Sequence, residues 1–379
     1  MPGLIDLHVH ARGYEESHKE TWDTMAMAAL HGGVTTVCAM PNTKPPFIQA
    51  GQIDDRQRHI GNSQIDYRLW FGATPTNLHE IERASNVPDV ICGVKVYRGS
   101  STGDLLVEDD EAFEKICRTC AKLGLIVAVH AENEAMMKRN RATFLKPRVS
   151  DHCLIRDTEV EVTAVARALE IQAATQCEMY FCHISTPEAV DLIVVARGQG
   201  ARVYIEVCPH HLVFNNTKLR TPDGARSKMN PPLRSDQQVI RLRQHVFLGH
   251  VDTICSDHAP HTLEEKNNRN YDDIPSGVPG VEYIFSIMFN FVRLGNITLK
   301  QLIQLTAARA AHIVGFHAKG RIESGCSADC ILVNDLKLAK VVDSEVRTKC
   351  GWTPYDGLIL PAQPVLVISQ GNIVVNHLR

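Results

Sequence analysis

The 379-residue chain lacks any uninterrupted apolar run near the roughly 18 residues that a membrane-spanning helix needs. It also lacks an excess of charge, because 40 basic residues balance 43 acidic ones and the formal net charge is −3. These absences argue against a membrane protein and against a strong field that would attract nucleic acid. No signal peptide is visible, because Asp6, His8 and His10 interrupt the apolar stretch after Met1, so we expect a cytoplasmic protein.

A disulfide framework is not indicated either, although the chain has 12 cysteines. They are scattered through apparent strands and helices, which predicts reduced, mostly buried thiols. Cys117 and Cys120 form a CxxC, the spacing of a redox pair or of half a zinc site. No second CxxC is present, so we interpret the two as core positions one turn apart on a helix.

Apolar runs of strand length alternate with segments of helical period over most of the chain. Several runs are rich in Val and Ile without polar alternation, which is typical of strands buried on both faces of a parallel sheet. Eight such strands in roughly 250 residues predict the α/β class and a (β/α)8 TIM-like barrel. A doubly wound sheet would usually carry a Gly-rich turn after its first strand, and none is present. The predicted strands are Leu4–Val9, Val34–Met40, Ile65–Phe71, Val90–Tyr97, Ile126–Val129, Glu178–Cys182, Arg202–Val207 and Asp252–Cys255.

The pattern changes after Ser256. Two segments after this point, Val281–Leu294 and Leu299–Val314, predict helices by their apolar period, as Thr158–Ala174 does earlier in the chain. Short strands are predicted at Cys330–Val333, Lys340–Val346, Val365–Ser369 and Asn372–Val375, the last two joined by a hairpin at Gln370-Gly371. We therefore expect a barrel with C-terminal helices over residues 1–320 and a small β-rich unit over 321–379. The Pro- and Gly-rich segment 267–280 is predicted to be an active-site loop.

Residues with metal-binding side chains stand at several predicted strand ends. His8 and His10 have the i, i+2 spacing that places two side chains on one side of a strand. A single HxH pair is more often structural, but in a barrel all the strand ends converge on the face that carries the active site. Other strand ends add His130, His183 and Asp257. Together they predict a metal site on that face.

Lys95 lies within the apolar run of the fourth strand, where an unpaired ammonium would carry a large desolvation cost. One interpretation is a snorkelling or salt-bridged lysine. The other is a neutral amine that has captured CO2 as a carbamate, a two-oxygen anion able to bridge two metal ions.

These residues resemble the amidohydrolase superfamily and, more narrowly, the dihydroorotases. The similar blocks follow the family's order over nearly the whole chain. They are His8-Val-His10-Ala-Arg12, His18-Lys19-Glu20, Met40-Pro41-Asn42-Thr43, Glu206-Val-Cys-Pro-His210-His211, Asn230-Pro-Pro-Leu-Arg234, Ser256-Asp257-His258-Ala-Pro-His261, Gly277-Val-Pro-Gly280 and Gly351-Trp-Thr-Pro354.

The resemblance implies two zinc ions per chain, bridged by N6-carboxylysine at Lys95. The first ion would be held by His8, His10 and Asp257, and the second by His130 and His183. The metals would activate water as the nucleophile, and Asp257 would be the catalytic acid and base. Glu206 is expected to be a hydrogen-bond partner behind the ligands and Cys182 a core residue, although both could bind an additional metal. His210 and His211 are expected to help hold their loop.

The implied reaction is the reversible cyclisation of N-carbamoyl-L-aspartate to L-dihydroorotate in pyrimidine biosynthesis. The resemblance assigns substrate binding to Arg12, Asn42, Asn230, His261, Pro279 and Gly280. Arg12 suits bidentate binding of the substrate carboxylate, although Arg12 or Asn42 alone could be a loop cap. The alternatives are a dihydropyrimidinase, hydantoinase or allantoinase, or a non-catalytic homologue that scaffolds aspartate transcarbamoylase. All six metal ligands are retained, which favours an enzyme.

The sequence departs from the dihydroorotase pattern in two places. Arg12 is followed by Gly13-Tyr14-Glu15-Glu16, where the family usually has Glu-Pro-Gly, so the substrate site is less well defined than the metal site. Family members generally carry several dozen residues before the first barrel strand. We therefore expect only a partial β-sandwich, built from the C-terminal tail and lacking its N-terminal half. As partners we expect a small-molecule substrate and a second copy in a homodimer, with association with aspartate transcarbamoylase as a further option.

Overall fold

The computed structural model describes residues 1–100 and 105–378, and eight parallel strands form its centre. Each strand pairs with the next in chain order. The ring is closed after β8 by a parallel bridge between Val9 and His258, where the His10 amide donates to the His258 carbonyl at 2.7 Å. The predicted (β/α)8 barrel is confirmed. Its strands are β1 Leu4–Val9, β2 Val34–Ala39, β3 Asp66–Gly72, β4 Ile91–Tyr97, β5 Val127–His130, β6 Met179–Phe181, β7 Val203–Val207 and β8 Thr253–Ile254.

The strands are buried on both faces, which explains why their sequences are apolar without alternation. Leu69 and Phe71 of β3 pack outward against the helix layer, while Trp70 between them points into the barrel. The Trp70 indole N–H donates to the Leu7 carbonyl at 2.8 Å, so the one polar group of this large interior side chain has a hydrogen-bond partner. Every residue of β1, β2 and β4 is buried.

Helices surround the barrel. They are α1 Trp22–His31, α2 Ile53–Ile60, α3 Leu78–Ala84, α4 Asp110–Leu123, α5 Glu134–Ala142, α6 His152–Ile155, α7 Thr158–Thr175, α8 Pro187–Gly198, α9 Pro209–Val213, α10 Asp236–Phe247, α11 Leu263–Lys266, α12 Ile284–Arg293, α13 Leu299–Ile303 and α14 Arg309–Ile313. The prediction for α7 is confirmed to within one residue. A π-helical turn at Gln304–Ala308 separates α13 from α14 within the segment predicted as one helix. Within the described ranges, no helix combines the length and apolar character needed to cross a bilayer.

The C-terminal tail forms two small antiparallel sheets. Strands β9 Cys330–Leu332, β12 Leu366–Ser369 and β13 Asn372–Asn376 make one, and β10 Leu338–Lys340 pairs with β11 Ile359–Pro361 in the other. The predicted hairpin is confirmed, with positive φ at Gln370 and Gly371 as a tight turn requires.

One tail prediction is wrong. Of the strand predicted at Lys340–Val346 only Lys340 lies in a strand, as the last residue of β10, because the chain then turns into a 3-10 helix at Asp343–Glu345. The Asp343 carboxylate accepts from the Thr353 amide at 2.9 Å and from Arg226, and these bonds hold the turn. A local apolar pattern does not contain these distant partners, so it predicted a strand.

All 12 cysteines are free thiols, as expected. Cys117 and Cys120 lie on the buried side of α4 and belong to the hydrophobic core between helices and strands. The interpretation of this CxxC as two core positions is confirmed. The interaction with Cys177, together with burial, raises the pKa of Cys117, and burial raises the pKa of Cys120, which makes both thiols poor nucleophiles and poor redox groups.

Candidate active site and metal centre

The predicted metal ligands meet at the carboxyl ends of the barrel strands. His8 lies in β1 and His10 directly after it, Lys95 lies in β4, and His130 ends β5. His183 and Asp257 follow β6 and β8 by two and three residues. All six are buried, with Asp257 7% and His10 8% exposed and the others at most 3%. A (β/α)8 barrel brings such strand ends together, so residues separated by up to about 250 positions share one site.

Three of the histidines share one hydrogen-bonding pattern. His8 donates from Nδ1 to Glu206 at 2.8 Å, and His10 donates from Nδ1 to the Asn42 side-chain oxygen at 2.6 Å. The other ring nitrogen of each faces Asp257 Oδ1, at 3.3 Å from His8 and 3.0 Å from His10. An oxygen acceptor on one nitrogen fixes the tautomer and leaves the second lone pair directed at the centre, as in metal-binding histidines.

His130 completes the same pattern on the opposite side of the site. Its Nε2 donates to Glu132 at 2.8 Å, while its Nδ1 lies 3.0 Å from Nε2 of His183. Burial lowers the pKa of all four site histidines, so they are neutral and have lone pairs available near pH 7. Glu132 in turn pairs with Arg156, which lowers the pKa of this buried carboxyl to about 2.

Backbone strain is concentrated at this site. His183, Asp257 and Arg12 have φ of 36°, 45° and 53°, in the left-handed region that residues with a Cβ seldom occupy. Such conformations cost about 1–3 kcal/mol each and persist only where surrounding contacts enforce them. Here the strain turns the chain sharply after the strand ends, so that these side chains point into the centre.

Lys95 lies in the middle of the cluster with none of its side chain exposed. Its Nζ donates to Cys182 Sγ at 3.0 Å, and in the described ranges no carboxylate lies within ion-pair distance of it. Its charge contributes to lowering the pKa of each of the four site histidines. The interpretation of Lys95 as a salt-bridged or snorkelling lysine therefore has no partner or surface to support it.

The donor chemistry fits divalent metal ions. His8, His183 and Asp257 place one ligand atom each within 4.8 Å of one another, and all three are buried. Imidazole and carboxylate donors with the histidines held by outer hydrogen bonds suit zinc and similar ions. His8, Cys182 and Glu206 form a second such group that shares His8 with the first.

The proposed substrate residues fall into two groups. Arg12, Asn42 and Asn230 line the same pocket as His8, His10, His130, His183 and Asp257. Arg12 is 3% exposed and donates from Nε to the Pro260 carbonyl at 3.2 Å. Its Nη1 has no hydrogen-bond partner among the described residues, and the Glu16 carboxylate lies 3.8 Å from it. The side-chain oxygen of Asn230 is buried without a partner as well. A buried guanidinium N–H and a buried amide oxygen are thus left for a ligand.

The other three substrate residues lie behind the pocket wall. The His261 ring accepts from Arg12 at 3.1 Å through Nε2, so it positions the guanidinium. Pro279 and Gly280 line a separate small cavity beside His258, and the Gly280 amide donates to the His258 ring. From the predicted loop 267–280 it is Ser276 and Gly277 that line the pocket. Gly277 has φ of 141°, and a Cβ there would lie 2.6 Å from the Ala259 carbonyl.

Two buried lysines support this loop. Lys266 donates to the carbonyls of Lys228, Pro275 and Gly277 at 2.9–3.1 Å, and Lys228 donates to the carbonyls of Tyr271 and Ile274. Their ammonium groups satisfy carbonyls that water does not reach. The conformation of the pocket-lining loop therefore depends on hydrogen bonds from the side chains of Lys266 and Lys228.

Replacing Lys266 by methionine is expected to lower the free energy of unfolding by about 3 kcal/mol, since three buried carbonyls lose their donor. Urea denaturation followed by circular dichroism measures the change. Lys300→Met, on the exposed surface of α13, is the matched control and should change stability by less than about 0.5 kcal/mol. Equal stability of the two variants would contradict the assigned role of Lys266.

Three residues of the site were not predicted from the sequence. Glu132 has the i, i+2 spacing from His130 that could have indicated a shared side, as for His8 and His10. Tyr97 has the same spacing from Lys95, lines the pocket, and has a buried hydroxyl without a partner. Asp6 accepts from the His8 amide and from Ser256, which fastens β8 to β1, and burial raises its pKa to about 7. The predicted role of Glu206 is confirmed by its bond to His8.

A cluster of metal-type side chains at the carboxyl ends of a (β/α)8 barrel is typical of metal-dependent barrel enzymes. Comparison with protein families makes the class specific. The model of the amidohydrolase family matches residues 1–374, and the chain belongs to this family.

Individual relatives fall into two groups. The chain is 33% identical to the dihydroorotase of Halobacterium salinarum over 99% of its length and 86% of that protein, and 32% identical to the dihydroorotase of Bacillus cytotoxicus over 98% and 86%. Among solved structures it is similar to the L-hydantoinase of Arthrobacter aurescens, with a TM-score of 0.94, 28% identity, and coverage of 100% of this chain and 85% of the other. A dihydropyrimidinase from Brevibacillus agri gives a TM-score of 0.91 at 28% identity and covers the same shares.

Proposed function

We propose that the protein is a dihydroorotase that interconverts N-carbamoyl-L-aspartate and L-dihydroorotate, a step of pyrimidine biosynthesis. The observation that carries the proposal is Arg12, a buried guanidinium in the pocket formed by the metal-type ligands, whose Nη1 has no hydrogen-bond partner among the described residues and has the Glu16 carboxylate only at 3.8 Å. A buried guanidinium requires an anion or a strong acceptor. The dihydroorotate carboxylate, which hydantoin and dihydrouracil lack, meets this requirement. The names of the sequence relatives support the same activity.

The proposal includes two zinc ions. His8, His10 and Asp257 would hold one, and His130 and His183 the other. Carboxylation of Lys95 would supply a bridging anion where the structure has a lysine without a carboxylate partner. When bound, the metals would polarise the substrate carbonyl and lower the pKa of water.

Each residue around the metals would then have a separate role. Arg12, held by Pro260 and His261, would bind the substrate carboxylate and orient the ring. Asn230 would accept from a ring amide through its unpaired oxygen. Asp257 would take a proton from the attacking water and deliver it to the departing ring nitrogen. Burial raises the Asp257 pKa above its ordinary value, although the neighbouring His8 lowers it in part, and this makes the carboxylate a better proton acceptor than an exposed aspartate.

An activity panel tests the proposal. The zinc-loaded protein is given dihydroorotate, dihydrouracil, hydantoin and allantoin, and metal content is measured on the same sample. Turnover of dihydroorotate well above the other three is expected. Turnover of dihydrouracil or allantoin with none of dihydroorotate would refute the substrate assignment. Absence of bound metal together with absence of all activity would instead favour a non-catalytic homologue.

A hydantoinase or dihydropyrimidinase is the second candidate, because the solved structures named above share the fold over this whole chain. Their substrates lack the carboxylate, so such an enzyme would not need the Nη1 N–H of Arg12 for substrate binding. The panel therefore separates the two candidates by substrate and not by metal content.

Replacing Arg12 by methionine is expected to lower kcat/KM for dihydroorotate by about 10- to 150-fold, the value of a charge-assisted hydrogen bond of about 1.5–3 kcal/mol. Residual turnover of dihydrouracil should change far less, since that ring has no carboxylate. Arg58→Met removes an exposed arginine of α2, away from the pocket, and is the matched control. An equal loss on both substrates in Arg12→Met would contradict carboxylate recognition.

A further inference from the structure

A second cluster of metal-type donors lies at the start of α9, outside the site described above. Cys208, His210 and His211 each place one ligand atom within 4.8 Å of the other two. All three are buried, with exposures of 0%, 1% and 2%. The two other donor groups, which contain His8, share residues with the active site, whereas this one shares none.

The donors have no other use in the described part of the chain. Both ring nitrogens of His210 and Nδ1 of His211 are buried without a hydrogen-bond partner. Leaving such a nitrogen unsatisfied costs about 1–3 kcal/mol, so three of them in one place require an explanation. The packing of the two rings, with centroids 4.3 Å apart, brings the unpaired nitrogens together and does not satisfy them.

His211 shows the hydrogen bond that a metal ligand needs. Its Nε2 lies 3.1 Å from the Pro231 carbonyl oxygen, which can only accept. The proton is therefore on Nε2, and the lone pair is on Nδ1, the atom directed at the cluster. Burial lowers the pKa of His211 to about 4 and that of His210 below its ordinary value, so both rings are neutral near pH 7.

We propose that Cys208, His210 and His211 bind a zinc-class cation that is separate from the catalytic metals and stabilises the β7–α9 turn. Zn–S and Zn–N bonds of about 2.3 and 2.0 Å place tetrahedral donors roughly 3.3–3.6 Å apart. This distance is below the 4.8 Å within which the three ligand atoms lie. Binding forms an S–metal bond at Cys208 and releases the thiol proton to solvent. One thiolate and two neutral imidazoles are a ligand set typical of zinc and copper(I).

The surroundings favour a cation. Burial is the main cause that raises the pKa of the Cys208 thiol, and the nearby carboxylates of Glu206, Asp257 and Asp6 raise it further. The negative field of these carboxylates would attract a positive ion. The Tyr355 hydroxyl, buried without a partner and within electrostatic range of Cys208, is a further polar group next to the cluster. All three ligands lie between the end of β7 and α9, and the hydrogen bond of His211 to Pro231 connects them to the loop that carries Asn230.

X-ray absorption at the zinc edge of the zinc-loaded full chain tests the proposal without any variant. A sulfur scatterer at about 2.3 Å is expected in addition to nitrogen and oxygen. Zinc bound only by nitrogen and oxygen would overturn the proposal.

The source of the sulfur is assigned with cobalt(II). Wild-type protein stripped of metal and titrated with Co²⁺ should develop the ultraviolet thiolate-to-cobalt absorption, and Cys208→Ser should lose it together with one metal equivalent. His210→Gln should weaken it. Cys182→Ser is the matched control, because Cys182 is the buried thiol beside Lys95, and it should keep the band. A band lost in Cys182→Ser and kept in Cys208→Ser would refute the site. The readout is independent of activity, so it is separate from the test of the proposed function.

Discussion

Replacing Asp257 by asparagine is expected to reduce dihydroorotate turnover by about 10³-fold, within the 10²–10⁴ range of general acid–base catalysis. Asparagine keeps the size and one oxygen of the side chain, but it cannot accept a proton. His8 and His10 lie 3.3 and 3.0 Å from this carboxylate. In the described part of the chain no other carboxyl group is within ion-pair distance of both rings. Steady-state kinetics in both directions of the reaction measure the loss.

Metal content distinguishes the two roles assigned to Asp257. If its main contribution is proton transfer, the asparagine variant keeps most of its zinc and loses kcat, with KM nearly unchanged. Asp191→Asn, at an exposed position of α8, is the matched control and should be fully active. Wild-type turnover by a folded Asp257→Asn protein would refute the catalytic assignment.

The second large effect is expected at Lys95. Lys95→Met fills the same buried volume with an apolar chain, and it should remove the bridging anion, most of the bound metal and nearly all turnover. The fold should persist, because methionine satisfies the apolar surroundings of β4 better than an unpaired amine does. Metal analysis and activity on the same preparation measure both losses. Lys300→Met serves as the surface control.

Two further measurements identify the carbamate itself. Native mass spectrometry of active enzyme should show the added mass of one CO2, absent from Lys95→Met. A smaller variant, Lys95→Ala, should regain part of its activity with short carboxylic acids that occupy the vacated space and replace the anion. A fully active wild-type enzyme without the CO2 adduct would refute carboxylation of Lys95.

The barrel could be predicted because its signal is local. Strands buried on two faces must be apolar throughout, and β1 was therefore predicted with the bounds that the structure shows. The tail was harder, since its strands are short and half exposed. Residues 341–346 form a turn held by Asp343 and its partners Thr353 and Arg226, and such distant contacts leave no periodic pattern.

The metal-type side chains of the site could be predicted from the sequence, whereas the roles of the residues around them could not. His8, His10, His130, His183 and Asp257 all stand at strand ends, so the barrel prediction alone implied that they meet. The roles of the supporting residues depend on side-chain direction. Whether the His261 ring touches a substrate or holds Arg12 is decided by angles at a loop, which spacing does not encode.

By itself, the sequence determined the fold class and the set of residues available for metal chemistry, because burial and side-chain type are written position by position. The tertiary structure decided which atoms face one another. It alone shows that Glu132 and Glu206 orient the histidines, that Ser276 and Gly277 reach the pocket in place of Pro279 and Gly280, and that the nitrogens of His210 have no partner. The physical reason is that hydrogen bonds extend over about 3 Å and have strict directions, so they depend on backbone turns that only the assembled barrel imposes.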